Sequence, residues 1–118
     1  MLTRSDDGHF YADVSIGGGT VLMLVDTGAS VVALTGSDAA MMGVDWNESE
    51  VRPVARGASG IVSGVPVMLE SVQIGDVEVR QVQAIVVPEG LPISLLGQSF
   101  LSRIPKVEME PDRMVLAS

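Results

Sequence analysis

Cysteine is absent from the 118 residues, which excludes disulfides and thiolate metal sites. Basic residues are scarce as well. Lys106 is the single lysine, six arginines are scattered without forming a stripe, and fifteen acidic residues bring the net charge to −8. Affinity for a phosphate backbone comes from clustered Lys and Arg, so no nucleic-acid partner is expected. His9 is the one histidine, with no second imidazole near it, and it reads as a strand-end residue rather than a metal ligand. No cofactor or metal is expected. Aromatics make up only 3%, so the core has to be built from Val, Leu, Ile, Met and Ala. No apolar run approaches the roughly twenty residues of a membrane-spanning helix, and the first residues lack a signal-peptide pattern.

What is present reads as one β-rich domain, preceded by a polar, flexible segment over 1–8. Residues 9–16 alternate apolar and polar as a half-buried strand does, and Gly17-Gly18-Gly19 turns the chain back. The glycine triplet is a hairpin rather than a phosphate loop, because no Lys-Ser or Lys-Thr follows it and a strand comes next. Val31 to Leu34 is a second buried strand, and Ser37 to Gly43 reads as a capped single-turn helix ended by glycine. Asp45 to Glu50 is an acidic surface loop with Trp46 as its apolar peg. Two strands, 51–56 and 61–70, are expected to join across Gly57-Ala58-Ser59-Gly60, a tip with too few large side chains to anchor it. A further hairpin turns at Gly75-Asp76, and a strand follows over 82–87. A helix is expected over 99–103, stopped by Pro105, and a last pair of strands folds around Pro111-Asp112-Arg113.

The chain is arranged around Leu22-Met23-Leu24-Val25-Asp26-Thr27-Gly28-Ala29-Ser30. Four apolar residues drive a strand into a core and then place a carboxylate at its end, where burying it unpaired would cost several kcal/mol. The small residues after it allow a hydroxyl at Thr27 and backbone N–H groups at Gly28 and Ala29 to approach closely. From these residues alone, the stretch is either a site or a strand cap.

Asp26-Thr27-Gly28 after an apolar strand, with Leu95-Leu96-Gly97 about seventy residues later and Gln98-Ser99-Phe100-Leu101 beyond it, resembles the paired signatures of pepsin-type and retroviral aspartic proteases. From Gly8-His9-Phe10 to Leu116 the pattern is most similar to bacterial single-domain retropepsin-like proteases. The resemblance implies an all-β, closed-barrel acid-protease fold over 9–118, with one or two short helices, acting as a homodimer on peptide or protein substrates. It also implies a periplasmic location and leaves room for a membrane anchor outside this chain.

Hydrolysis by paired carboxylates needs one as base toward water and the other, protonated, on the scissile carbonyl. The sequence holds a single Asp-Thr-Gly and no Asp-Ser-Gly, so a second copy has to supply the second acid. By resemblance, Asp26 is the catalytic group, Thr27 braces the pair across the dimer, and the Gly28 N–H holds its own carboxylate in plane. Ala29 and Ser30 would contact substrate, and Gly57, Ala58, Ser59 and Gly60 would form a flap over it. Retroviral enzymes pair an Asp and an Arg where this chain has Ser30 and Gln98, so a neutral Ser30 to Gln98 hydrogen bond, worth roughly 1 kcal/mol, is expected in place of an ion pair. Two other readings stay open: a non-catalytic peptide-binding or dimerisation module of the same fold, and a structural β domain in which Asp26 only caps a loop.

Overall fold

The computed structural model describes residues 2–57 and 60–117, excepting the side chains of 55–57, 60, 106 and 109. In chain order, a short strand β1 (Leu2–Thr3) precedes the hairpin of β2 (Phe10–Ile16) and β3 (Gly19–Val25). Phe10, Ala12, Val14 and Ile16 of β2 turn inward and meet Val21, Met23 and Val25 of β3, as the alternation predicts. Strand β4 (Val32–Thr35) runs straight into helix α1 (Gly36–Met41). The cap of α1 is Thr35 rather than Ser37: its Oγ1 accepts the Asp38 N–H at 3.0 Å. Gly43 ends this segment with φ +71°. A 3₁₀ turn, Glu48–Glu50, leads into β5 (Arg52–Gly57), β6 (Gly60–Ile74) and β7 (Val77–Val87). The two-residue strand β8 (Leu95–Leu96), helix α2 (Gln98–Leu101) and the hairpin of β9 (Lys106–Met109) and β10 (Arg113–Ala117) complete the chain.

Strands β6 and β7 are longer than their residue pattern suggests. Val65 and Leu69 are buried in the first half of β6 and Val72 in the second, so the inward phase shifts from odd to even positions. Strand β7 shifts in step, from Val77 and Val79 to Val82, Ala84 and Val86. Both changes fall at the gap in the register between Leu69↔Val82 and Ser71↔Arg80, where Gln81 has φ +58°. A left-handed residue inside a strand re-aims everything beyond it. The broken alternation at Glu70-Ser71 and Arg80-Gln81 therefore marks a bend within one hairpin, not the end of a strand.

The seven-stranded sheet has the order β2-β3-β8-β4-β7-β6-β5 and closes on itself where Ser15 and Ile16 of β2 pair with Gln73 and Val72 of β6. The interior of this barrel holds Val14, Met23, Leu34, Val72, Val82, Leu96 and Phe100. Trp46 packs against that core from the acidic loop. Strand β5 lies outside the closed ring, at the sheet edge and paired with β6 among the described residues, so its hairpin projects from the barrel. Beneath it is a second apolar cluster on the outer face of β4 and β7: Ala33, Ile85 and Val87, with Val54 and Val62 of the projecting hairpin packed against them.

Within the segment over 1–8, the first described residues have partners at the far end of the chain. Leu2 and Thr3 pair with Met114 and Arg113 of β10, and the Arg4 N–H donates to Asp112 O at 2.8 Å. The Arg4 guanidinium donates to the carbonyls of Gly8 and Pro111 and lies 4.5 Å from the centre of the Phe10 ring. One long side chain thus ties a polar stretch to both neighbouring turns. Asp7 accepts from the Tyr11 hydroxyl, which lowers its pKa, and Arg113 lowers that of Glu110 in the same way. Arg4→Ala should lower stability by about 1 kcal/mol, since these bonds are exposed, and should leave the barrel intact; urea unfolding followed by circular dichroism measures it.

Candidate active site

Asp26 follows the last residue of β3, just beyond the point where the strand leaves the barrel wall. It is half-buried, and Thr27, Gly28 and Ser30 are exposed. Val25 faces inward, and the turn that follows lies at the surface of the single chain. The Gly28 N–H donates to Asp26 Oδ1 at 3.0 Å. The φ of Gly28 is not positive, and a Cβ there would sit 3.3 Å from that same Oδ1, a tight contact that the carboxylate would have to shift by a few tenths of an ångström to relieve.

Backbone hydrogen bonds from two directions clasp this turn. The Asp26 N–H donates to Leu96 O at 3.0 Å and its carbonyl accepts from the Ala29 N–H at 3.1 Å. The Ala29 carbonyl in turn accepts from the Gln98 N–H at 2.8 Å. Strand β8 makes this possible by lying between β3 and β4, parallel to the first through Leu24↔Leu95 and antiparallel to the second through Ala33↔Leu95. Gly97 lets the two segments meet: its backbone is extended, and a Cβ there would overlap Val31 O and lie 2.8 Å from Ala29 O. Ser99 adds a side-chain link, accepting the Val32 N–H at 2.9 Å and donating to Gln83 O at 2.6 Å. Ser94, fully buried, joins the Thr35 N–H to Asp38 Oδ2. Neither serine stands out in the sequence beyond being polar within an apolar run.

The expected Ser30 to Gln98 bond gives way to another. Gln98 Nε2 donates to the Thr27 carbonyl at 3.0 Å, and Ser30 lies exposed past the clasped turn. Across the outer face, Leu24, Leu95, Ala33 and Ile85 are direct cross-strand neighbours, forming an apolar row that begins two residues before Asp26. Gly57 and Gly60 pair with each other at the end of the β5–β6 hairpin. Ala58 and Ser59, expected at its tip, lie outside the described residues. No cluster of three metal-ligating side chains occurs among the described residues.

A family model described as "gag-polyprotein putative aspartyl protease" matches residues 12–103, spanning the Asp26 turn, the projecting hairpin and β8. The chain belongs to this aspartyl protease family. Among solved structures, a retropepsin-like aspartic protease from Rickettsia conorii superimposes with a TM-score of 0.82 at 33% identity, covering 98% of this chain and 86% of that one. The fold of this family member is accordingly retropepsin-like. An uncharacterized protein of the cobV 5′ region in Sinorhizobium sp is 38% identical over 117 residues, and an uncharacterized protein of Rickettsia prowazekii is 36% identical over 116. The chain spans about half the length of these curated relatives, 50% in each case.

Proposed function

We propose that two copies of this chain form an aspartic endopeptidase in which each contributes one Asp26 to a shared site. The observation that carries this reading is the half-exposed Asp26 carboxylate, oriented by the Gly28 N–H and set beside the apolar row of Leu24, Leu95, Ala33 and Ile85. A part-exposed acid on a clasped turn leaves one side of the carboxylate open to a partner. Membership of an aspartyl protease family and the retropepsin-like fold support peptide hydrolysis as the chemistry.

In this mechanism the ionised Asp26 takes a proton from water as the water oxygen adds to the scissile carbonyl carbon. The protonated Asp26 of the other copy donates to the carbonyl oxygen, giving a neutral tetrahedral diol. Proton transfer to the amide nitrogen then accompanies C–N cleavage, and the pair returns to its singly protonated form. Two carboxylates that share one site do not both ionise, which would retain one proton between them. Thr27 would brace the pair by hydrogen bonding across the dimer. Ala29, Ser30 and the Gly57–Gly60 hairpin would contact the substrate backbone, and the projecting hairpin would close over it as a lid.

The apolar row points to substrates with apolar side chains on either side of the cut, since a polar side chain there would lose its water without gaining a partner. Incubation with a mixed peptide library, read by mass spectrometry, should yield discrete cuts flanked by Leu, Met, Phe or Val. A library left whole at every pH between 3 and 8 would overturn the endopeptidase reading in favour of a binding module.

A further inference from the structure

The peptide group between Thr27 and Gly28 is held at both ends. Its carbonyl oxygen accepts from Gln98 Nε2 at 3.0 Å, and its N–H donates to Asp26 Oδ1 at 3.0 Å. A peptide is one planar, resonant unit, so its C=O and N–H turn together and share electron density. A donor on the oxygen draws charge toward that end and makes the N–H a stronger donor at the other, as in other hydrogen-bond chains. We propose that Gln98 is a positioning residue for the Asp26 carboxylate, acting through the Thr27–Gly28 peptide to fix the direction of the Gly28 N–H and to strengthen it.

The placement of Gln98 suits that role. As the first residue of α2, it donates its own N–H to Ala29 O at 2.8 Å, so its backbone and side chain grip the turn on either side of Gly28. Its backbone follows directly on Gly97, whose close approach to Ala29 and Val31 sets β8 against the Asp26 turn. Removing the side-chain amide leaves the Ala29 bond, and the bond from Asp26 N–H to Leu96 O, in place. The turn keeps its position while the peptide plane is released. An amide also donates without adding charge beside the carboxylate, unlike a guanidinium; a carboxylate at this position would present only acceptors to the Thr27 oxygen.

The catalytic part of this inference rests on the endopeptidase reading; the geometric part stands on the chain itself, and the test separates them. Gln98→Met keeps the length of the side chain and removes the donor, Gln98→Glu reverses it at neutral pH, and Gln98→Arg restores a donor. In the ¹⁵N-labelled full chain, the Gly28 amide proton should move upfield and exchange faster with solvent in the Met and Glu variants, and return toward the wild-type position in the Arg variant. Steady-state cleavage should show kcat reduced about tenfold in Gln98→Met with KM within about twofold of wild type, and kcat higher in Gln98→Arg than in Gln98→Met but below wild type, since the guanidinium restores the donor and adds a charge beside the carboxylate. A Gly28 resonance and exchange rate unchanged in both the Met and Glu variants would overturn the inference, as would a displaced resonance accompanied by wild-type kcat. If the wild type cleaves nothing, the endopeptidase reading fails, and the Gly28 resonance alone decides whether Gln98 orients the peptide.

Discussion

Asp26→Asn should reduce peptide cleavage by at least about 10³-fold while leaving the unfolding midpoint nearly unchanged. Asn has the volume of Asp and keeps an oxygen able to accept the Gly28 N–H, now 3.0 Å from Oδ1, so the turn loses none of its backbone clasp. What disappears is the ionisable group. Proton transfer to and from water and substrate is the whole of the chemistry assigned to this residue, and a primary amide performs neither step. The comparison is made on a single peptide drawn from the library cuts, at matched protein concentration. Cleavage by the variant within tenfold of wild type would remove Asp26 from the mechanism.

Gly97→Ala has the largest expected effect on stability. The added Cβ would meet backbone rather than a flexible side chain: it would overlap Val31 O and stand 2.8 Å from Ala29 O. Overpacking of this kind costs about 1–3 kcal/mol, and the upper end applies here because both atoms met are backbone oxygens rather than the end of a flexible side chain. Relief requires β8 and the Asp26 turn to separate. The bonds from Gln98 N–H to Ala29 O and from Asp26 N–H to Leu96 O would stretch together, so activity should fall with stability. Urea unfolding of the variant should show its midpoint lowered by an amount matching about 3 kcal/mol. A shift below about 0.5 kcal/mol would mean that the two segments do not depend on this close approach.

Much of the barrel is legible in the sequence because single-phase alternation is a local signal. Phe10 to Ile16 shows it, and the continuous apolar run of Val21 to Val25 reads as a strand beyond the Gly17-Gly18-Gly19 turn, so the hairpin between them forms as expected. Strands β6 and β7 obscure it, since the bend at Glu70 and Gln81 reverses the inward phase halfway along both. The cap at Thr35 escapes a local reading because that residue also ends a strand, and Ser37 offers an equally good hydroxyl two positions later. At the N-terminus, polarity suggests fraying, but the partners of Arg4 lie more than a hundred residues away in sequence, at Pro111 and Asp112. Asp26, Thr27, Gly28 and Gly97 are all visible as motif. The partner of Gln98 is not, because choosing Thr27 O over the Ser30 side chain depends on how β8 threads between β3 and β4.

A site shared between two chains makes specific activity depend on protein concentration, which a dilution series reads out. A monomer with one Asp26 holds half of the machinery, so activity should follow the dimer fraction. Well below the dissociation constant it should fall about tenfold for each tenfold dilution; above it, it should level off, with sedimentation velocity on the same samples showing the dimer appear over the same range. Constant specific activity in samples that sediment as monomers would mean that one chain carries the whole site.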